Sequence, residues 1–144
     1  MKAKDAMTPN PDVVTPDEPL SRAARIMRDR DVGFVPVVQD RASMRMTGVI
    51  TDRDIAIRHV ADEHNVPCTV QHHMTASGIA SVDPNADLDE VLGIMEREQL
   101  RRIPVIEQGR IVGVIAQADV AMKLDKPKEV ADTVRKISEP GRKR

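Results

Sequence analysis

The chain has 144 residues, a formal net charge of −1 and 40% apolar residues, enough to bury a real core. Phe34 is the only aromatic residue, which argues against a surface that stacks bases or sugars, and the near-neutral charge gives no general pull toward nucleic acid. No apolar run approaches the ~20 residues that cross a bilayer, the opening MKAKDAMTPNPD lacks the apolar stretch of a secretory signal, and Cys68 stands alone. A cytoplasmic protein with no nucleic-acid or membrane partner is expected.

A turn-rich, Pro-containing start leads to a short apolar stretch at Val13-Val14. Leu20, Ala23, Ala24 and Met27 then recur at helical spacing, predicting an amphipathic helix over Leu20–Asp31 with Arg22, Arg25 and Arg28 on its solvated face. Two β-branched runs, Phe34–Val38 and Thr47–Thr51, predict a strand pair, and a second helix follows near Arg53–Ala61. Residues 62–73 form a connection. The same order then begins again, with a short apolar stretch at Ile79-Ala80 and a helix over Leu88–Gln99 whose apolar face is Leu88, Val91, Leu92 and Met95. Strands at Ile103–Glu107 and Ile111–Ile115 flank a Gln108-Gly109 turn, and a helix closes the unit over Ala118–Leu124. Residues 125–144 carry seven Lys/Arg against four Asp/Glu and read as a basic amphipathic C-terminal extension.

The recurrence holds residue by residue. Shifting the chain by 68 brings Val14 onto Val82, Leu20 onto Leu88, Ile26-Met27 onto Ile94-Met95 and Val35-Pro36-Val37 onto Ile103-Pro104-Val105. Past a short gap the shift becomes 65, and Gly48-Val49-Ile50 meets Gly113-Val114-Ile115 while Asp54 meets Asp119. Met7-Thr8 pairs with Met74-Thr75 at a shift of 67. Two β-α-β-β-α copies, in a mixed α/β (α+β) fold, are therefore expected to span residues 4–61 and 74–124.

The closing frame is written ITDRDIA in the first copy and IAQADVA in the second. Thr51 followed three residues later by Asp54 is a capping box, worth about 1–2 kcal/mol with no ligand present. Asp119, however, persists where Ala116 cannot cap. A carboxylate can also accept both hydroxyls of a vicinal diol such as a ribose, with Thr51 and free helix N–H groups turned to a phosphate. Both readings stand at this point.

The doubled unit, the Met-Thr openings, the apolar-Pro-apolar second strand and the Gly-apolar-apolar-Thr-x-x-Asp closing turn resemble the CBS domain, and the two copies resemble one CBS pair, or Bateman module, packed about a pseudo-two-fold axis. The resemblance implies a regulatory module that senses an adenosyl compound, such as AMP, ADP, ATP or S-adenosylmethionine, and that forms a homodimer. It also implies clefts built crosswise. One takes Val49, Thr51, Arg53 and Asp54 with Ile79, Ala80, Leu100, Arg101, Arg102 and Pro104, the arginines reaching phosphate. The other takes Val114, Ala116 and Asp119 with Val13, Val32, Gly33, Phe34 and Pro36; lacking the Thr and the arginines, it should be the weaker. The competing expectation is a ligand-free module for dimerisation or docking to a protein partner.

No Ser/His/Asp set, P-loop or dinucleotide fingerprint is present, so no catalytic residue is assigned. His59, His64, His72 and His73 read as ordinary surface or linker histidines, Cys68 as a linker cysteine, and no metal ligand is assigned.

Overall fold

The computed structural model describes residues 1–63, 66–124 and 127–140; His64 and the basic end at 141–144 lie outside the described residues. The chain packs as two units, residues Pro11–Ile79 and residues Met1–Asn10 with Ala80–Arg144. The packing units thus do not coincide with the sequence repeats, because the first ten residues join the second repeat.

In the Pro11–Ile79 unit, Val14 donates to Pro36 O and accepts from Val38 N, at 3.1 and 2.8 Å, adding a single parallel bridge to the hairpin of β2 (Phe34–Val38) and β3 (Met46–Thr51). Between Val14 and the hairpin runs α2 (Leu20–Arg30), which buries Leu20, Ala23 and Ile26 and stops where Asp31 takes a left-handed conformation. Ala24, expected on the apolar face, is exposed, and Ile26 takes its place. After β3 the chain turns into α3 (Asp52–Asp54), which continues without a break as a π-helix over Ile55–Val60. Val14, Leu20, Ala23, Ile26, Val35, Val37, Ile50 and Val70 make the core.

The second unit follows the same path. Val82 donates to Pro104 O and accepts from Ile106 N, at 3.1 and 2.8 Å. The expected first strand at Ile79-Ala80 is therefore corrected to Val82, the residue that aligns with Val14. α4 (Leu88–Glu98) buries Leu88, Val91, Leu92 and Met95 as its spacing predicts, and ends on a left-handed Gln99, the counterpart of Asp31. The hairpin of β4 (Arg102–Glu107) and β5 (Arg110–Ala116) carries a register shift at Val105/Ile106, matching the shift at Val37/Val38 in β2. α5 (Gln117–Lys123) closes the repeat, and α6 (Pro127–Ile137) adds Val130 and Ile137 to the core beside α4.

Residues 1–10 complete this second unit as residues 68–75 complete the first. A short α1 (Ala3–Ala6) bonds through Ala3 N to Ala86 O and through Lys4 N to Pro84 O, at 2.8 and 2.9 Å; Val70 N to Glu18 O and Gln71 N to Pro16 O, both 2.9 Å, are the equivalents. β1 (Thr8–Pro9) then pairs with β5 at Thr8↔Val114, and Thr75 pairs with β3 at Val49. Among the described residues no helix is long and apolar enough to cross a membrane.

Candidate functional site

Each unit ends its hairpin in the closing turn that the sequence doubles. In the first, Thr51 is the last residue of β3 and the N-cap of α3. Its Oγ1 accepts from Asp54 N at 3.1 Å, and its N–H donates to Asp54 Oδ2 at 3.0 Å. Asp54 Oδ1 faces Arg58 Nε at 3.7 Å, so the carboxylate keeps one oxygen on the backbone and turns the other to a cation. The Asp54 side chain is 12% exposed. Arg53 is exposed beside it. Strand pairing sets Phe34 opposite Thr51, and Asp52 N donates to Gly33 O at 3.0 Å. A Cβ on Gly33 would stand 2.8 Å from Asp52 Oδ2, so only glycine lets that carboxylate lie so close to the strand.

In the second unit Asp119 Oδ2 accepts from Ala116 N at 2.7 Å, half of the same arrangement, since alanine has no hydroxyl to return the bond. Arg102 pairs opposite Ala116, and Arg101 O accepts from Gln117 N at 2.8 Å. Each unit therefore brings its closing turn beside the start of its own second strand: Val32, Gly33 and Phe34 accompany Thr51 and Asp54, and Leu100, Arg101 and Arg102 accompany Ala116 and Asp119.

The remaining expected residues are distributed along the same elements. Val49 is 6% exposed and exchanges backbone bonds with Thr75, at 2.9 and 2.8 Å. Pro36 and Pro104 are buried in mid-strand, Val114 is half-buried, and Ile79 and Ala80 are half-buried where one unit gives way to the other along the chain. Val13 is buried, and its carbonyl accepts from Arg41 Nη2 at 2.9 Å, a bond that ties it to the hairpin connection.

The histidines differ from their expected roles. His72 is exposed and its Nδ1 accepts from Thr69 N at 3.1 Å. His73, read as a surface or linker residue, is corrected to a buried one at 3% exposure, because the tight turn over Val70–His72 rolls the next residue inward. His59 Nδ1 lies 3.3 Å from His73 Nε2, and Cys68 stands with them. Spacings of nine and five residues match no compact ligand motif, so the sequence carried no short signal for this grouping.

The CBS domain model matches residues 3–59 and 70–126. Hypoxic response protein 1 of Mycobacterium tuberculosis is 37% identical over 122 residues, covering 85% of this chain and 84% of that protein. The CBS domain-containing protein YhcV of Bacillus subtilis is 34% identical over 119 residues, covering 83% of this chain and 82% of its own. The crystal structure of Hypoxic Response Protein I with two coordinated zinc ions superposes with a TM-score of 0.75, over 86% of this chain and 99% of that one. Two more distant structures share the fold. CBSX2 in complex with AMP has a TM-score of 0.70 at 23% identity, over 84% and 93% of the two chains. The CBS domain pair of MJ0100, in complex with 5-methylthioadenosine and S-adenosyl-L-methionine, has a TM-score of 0.72 at 24% identity, over 85% and 94%. The doubled hairpin, the doubled closing turn and these matches agree: the chain belongs to the CBS domain family and carries two copies of the domain.

Proposed function

We propose that the chain is a regulatory module whose regulatory ligand is an adenosyl compound (AMP, ADP, ATP or S-adenosylmethionine). The carrying observation is the Thr51–Asp54 turn, where a shielded carboxylate is oriented by its own backbone and its second oxygen, facing Arg58 at 3.7 Å, has lone pairs for further donors. A ribose diol is the natural match for two carboxylate oxygens with lone pairs to spare. On the crosswise pattern that the family resemblance implies, Val49, Arg53, Ile79, Ala80, Leu100 and Pro104 are assigned to the same proposed cleft. Arg101 and Arg102, which within their own unit stand beside the Asp119 turn, are assigned as its phosphate ligands. The AMP and S-adenosylmethionine complexes of two fold neighbours support this choice of ligand class. The turn at Asp119 belongs to a second, weaker cleft with Val13, Val32, Gly33, Phe34, Pro36 and Val114, because it lacks the hydroxyl.

Binding would bias one of two arrangements, and a ligand shifts such an equilibrium only by its differential affinity. Homodimerisation belongs to the same reading. Ile57, Val60, Val66 and Met122 are large apolar residues exposed between 46% and 85%. The same exposure favours the second reading, a ligand-free interaction module in which Asp54 only caps its helix.

Thermal denaturation against adenosine, AMP, ADP, ATP and S-adenosylmethionine separates the two readings, since a ligand that binds only the native state raises the melting temperature. A rise for one or more adenosyl compounds supports the sensor. No rise at millimolar ligand, with a stable dimer by light scattering, supports the interaction module.

A further inference from the structure

We propose that His59, Cys68 and His73 form a site for a thiophilic divalent transition-metal ion, with zinc the expected one. The three ligand atoms lie within 4.8 Å of one another. A tetrahedral zinc ion with zinc–nitrogen bonds of about 2.0–2.1 Å sets its two nitrogens about 3.3–3.4 Å apart. His59 Nδ1 and His73 Nε2 are 3.3 Å apart. Their rings meet edge to face at an interplanar angle of 72°, bringing nitrogen to nitrogen at the ring edges without stacking. A histidine–histidine hydrogen bond would explain that pair, but it does not require a cysteine sulfur to converge on both rings. Two imidazoles and a thiolate select zinc over magnesium or calcium, which prefer oxygen donors, and leave a fourth position for water or another donor.

The internal repeat supplies an independent argument. Applying the shifts of the sequence repeat, the counterparts of Cys68, His73 and His59 in the other unit are Met1, Ala6 and Leu124. Ala6 belongs to the buried core there and Leu124 packs against it. Met1, the counterpart of Cys68, is 60% exposed. Two apolar packing positions of one unit are thus histidines in the other, and a cysteine converges on both, which structural equivalence to the repeat does not require.

The scaffold holds the donors from three directions. His59 is set by the π-helix, whose wider turn re-aims side chains relative to an α-helix and recurs at functional sites. Cys68 is fixed through its carbonyl, which accepts from Leu20 N at 2.9 Å. His73 is fixed through its N–H, which donates to Val70 O at 3.1 Å, and through its carbonyl, which accepts from Arg58 Nη1 at 3.1 Å. An ion here would staple the end of the π-helix to the turn that leads into Met74-Thr75. The site lies within the Pro11–Ile79 unit and does not depend on the adenosyl reading.

The test uses the full chain, stripped of metal with a chelator and titrated with Zn²⁺ against a chromophoric competitor, and separately with Co²⁺. The expected result is one ion per chain, a higher melting temperature, and a Co²⁺ spectrum with a sulfur-to-cobalt charge-transfer band and tetrahedral visible bands. Cys68→Ser should abolish the charge-transfer band, and Cys68→Ser and His59→Gln should each weaken Zn²⁺ binding at least about tenfold. Both residues are only partly buried, so these variants are expected to fold, with circular dichroism as the check; His73→Gln is read only if it passes the same check. His72→Gln, outside the cluster, should bind as the wild type does. Failure of the wild type to bind Zn²⁺ or Co²⁺ at micromolar concentration overturns the proposal. So does retention of wild-type affinity in both Cys68→Ser and His59→Gln, which would place any bound metal elsewhere.

Discussion

Thr51 and Asp54 close one turn on each other, hydroxyl to backbone N–H at 3.1 Å and carboxylate to backbone N–H at 3.0 Å. That reciprocity makes Asp54 a structural residue whether or not it binds a ligand, so a single measurement of either property misleads. Thr51→Ala should cost about 1 kcal/mol of stability through the lost cap. Asp54→Asn keeps the shape and one acceptor but removes the charge, and ligand affinity should fall about ten- to a hundredfold, the equivalent of ~1.5–3 kcal/mol for bonds to a charged group. Asp119→Asn should change affinity far less. Calorimetry and urea denaturation on the same three variants check this. A loss of stability in Asp54→Asn with ligand affinity unchanged would assign the turn to capping alone.

Most of the fold was legible because it was written twice. The strand at Phe34–Val38, the helices opening at Leu20 and Leu88, and the turn at Gln108-Gly109 all follow from local pattern and lie where that pattern puts them. The first strand of the second repeat was misplaced by pattern alone, since Ile79-Ala80 is an apolar pair while Val82 stands isolated between Ser81 and Asp83. The transfer of residues 1–10 to the second repeat is a choice of tertiary partner, Thr8 with Val114, and nothing local in Met-Thr-Pro encodes it. The Thr51–Asp54 turn was legible as a short motif. The approach of His59, Cys68 and His73 was not, because it depends on a π-helix and a tight turn that no residue type announces.

Gly48 and Gly113 test the packing of the two Met-Thr segments. A Cβ on Gly48 would stand 2.6 Å from the Thr75 carbonyl, which is itself held in the strand pairing with Val49. A Cβ on Gly113 would press on Met7, with the Thr8 carbonyl at 3.0 Å, and a methionine side chain can move aside. Gly48→Ala should therefore destabilise by about 2–3 kcal/mol and Gly113→Ala by about 1–2 kcal/mol. Equal losses in urea denaturation would show that the backbone around Thr75 yields as easily as Met7 does.

Glu18 should set part of the acid sensitivity. Burial works to raise its pKa, but the Thr15 backbone N–H and the Arg41 guanidinium more than offset that, leaving it below the usual 4.5. Arg41 Nη2 reaches Glu18 Oε1 at 2.6 Å and also holds the Val13 carbonyl. A carboxylate with a depressed folded pKa stabilises the protein above its unfolded pKa, and that contribution is lost as pH falls through the folded value. Glu18→Gln should be less stable than the wild type by about 1–2 kcal/mol at neutral pH. The gap should stay level down to about pH 5 and then narrow on further acidification. Denaturation curves from neutral pH to strongly acidic pH give the comparison, and a gap independent of pH would mean that the lost packing outweighs the lost charge.

The proposed phosphate role of the arginines at the start of β4 can be tested apart from fold maintenance. Arg101 is exposed and Arg102 half-buried. The bond from Gln117 N to Arg101 O and the pairing of Arg102 with Ala116 use only backbone, so alanine preserves both. Replacing Arg101 and Arg102 together should leave stability within about 1 kcal/mol, since surface charges contribute little. Affinity should instead fall with phosphate count, most for ATP, less for AMP and hardly at all for adenosine, because each planar guanidinium fork pairs with phosphate oxygens and not with base or sugar. Added salt should shrink the difference between wild type and double variant for ATP, as screening weakens the exposed partner. Isothermal titration of the three ligands at two salt concentrations decides the matter. A uniform loss across adenosine, AMP and ATP would assign the arginines to the shape of the strand, and unchanged ATP affinity would remove them from the site.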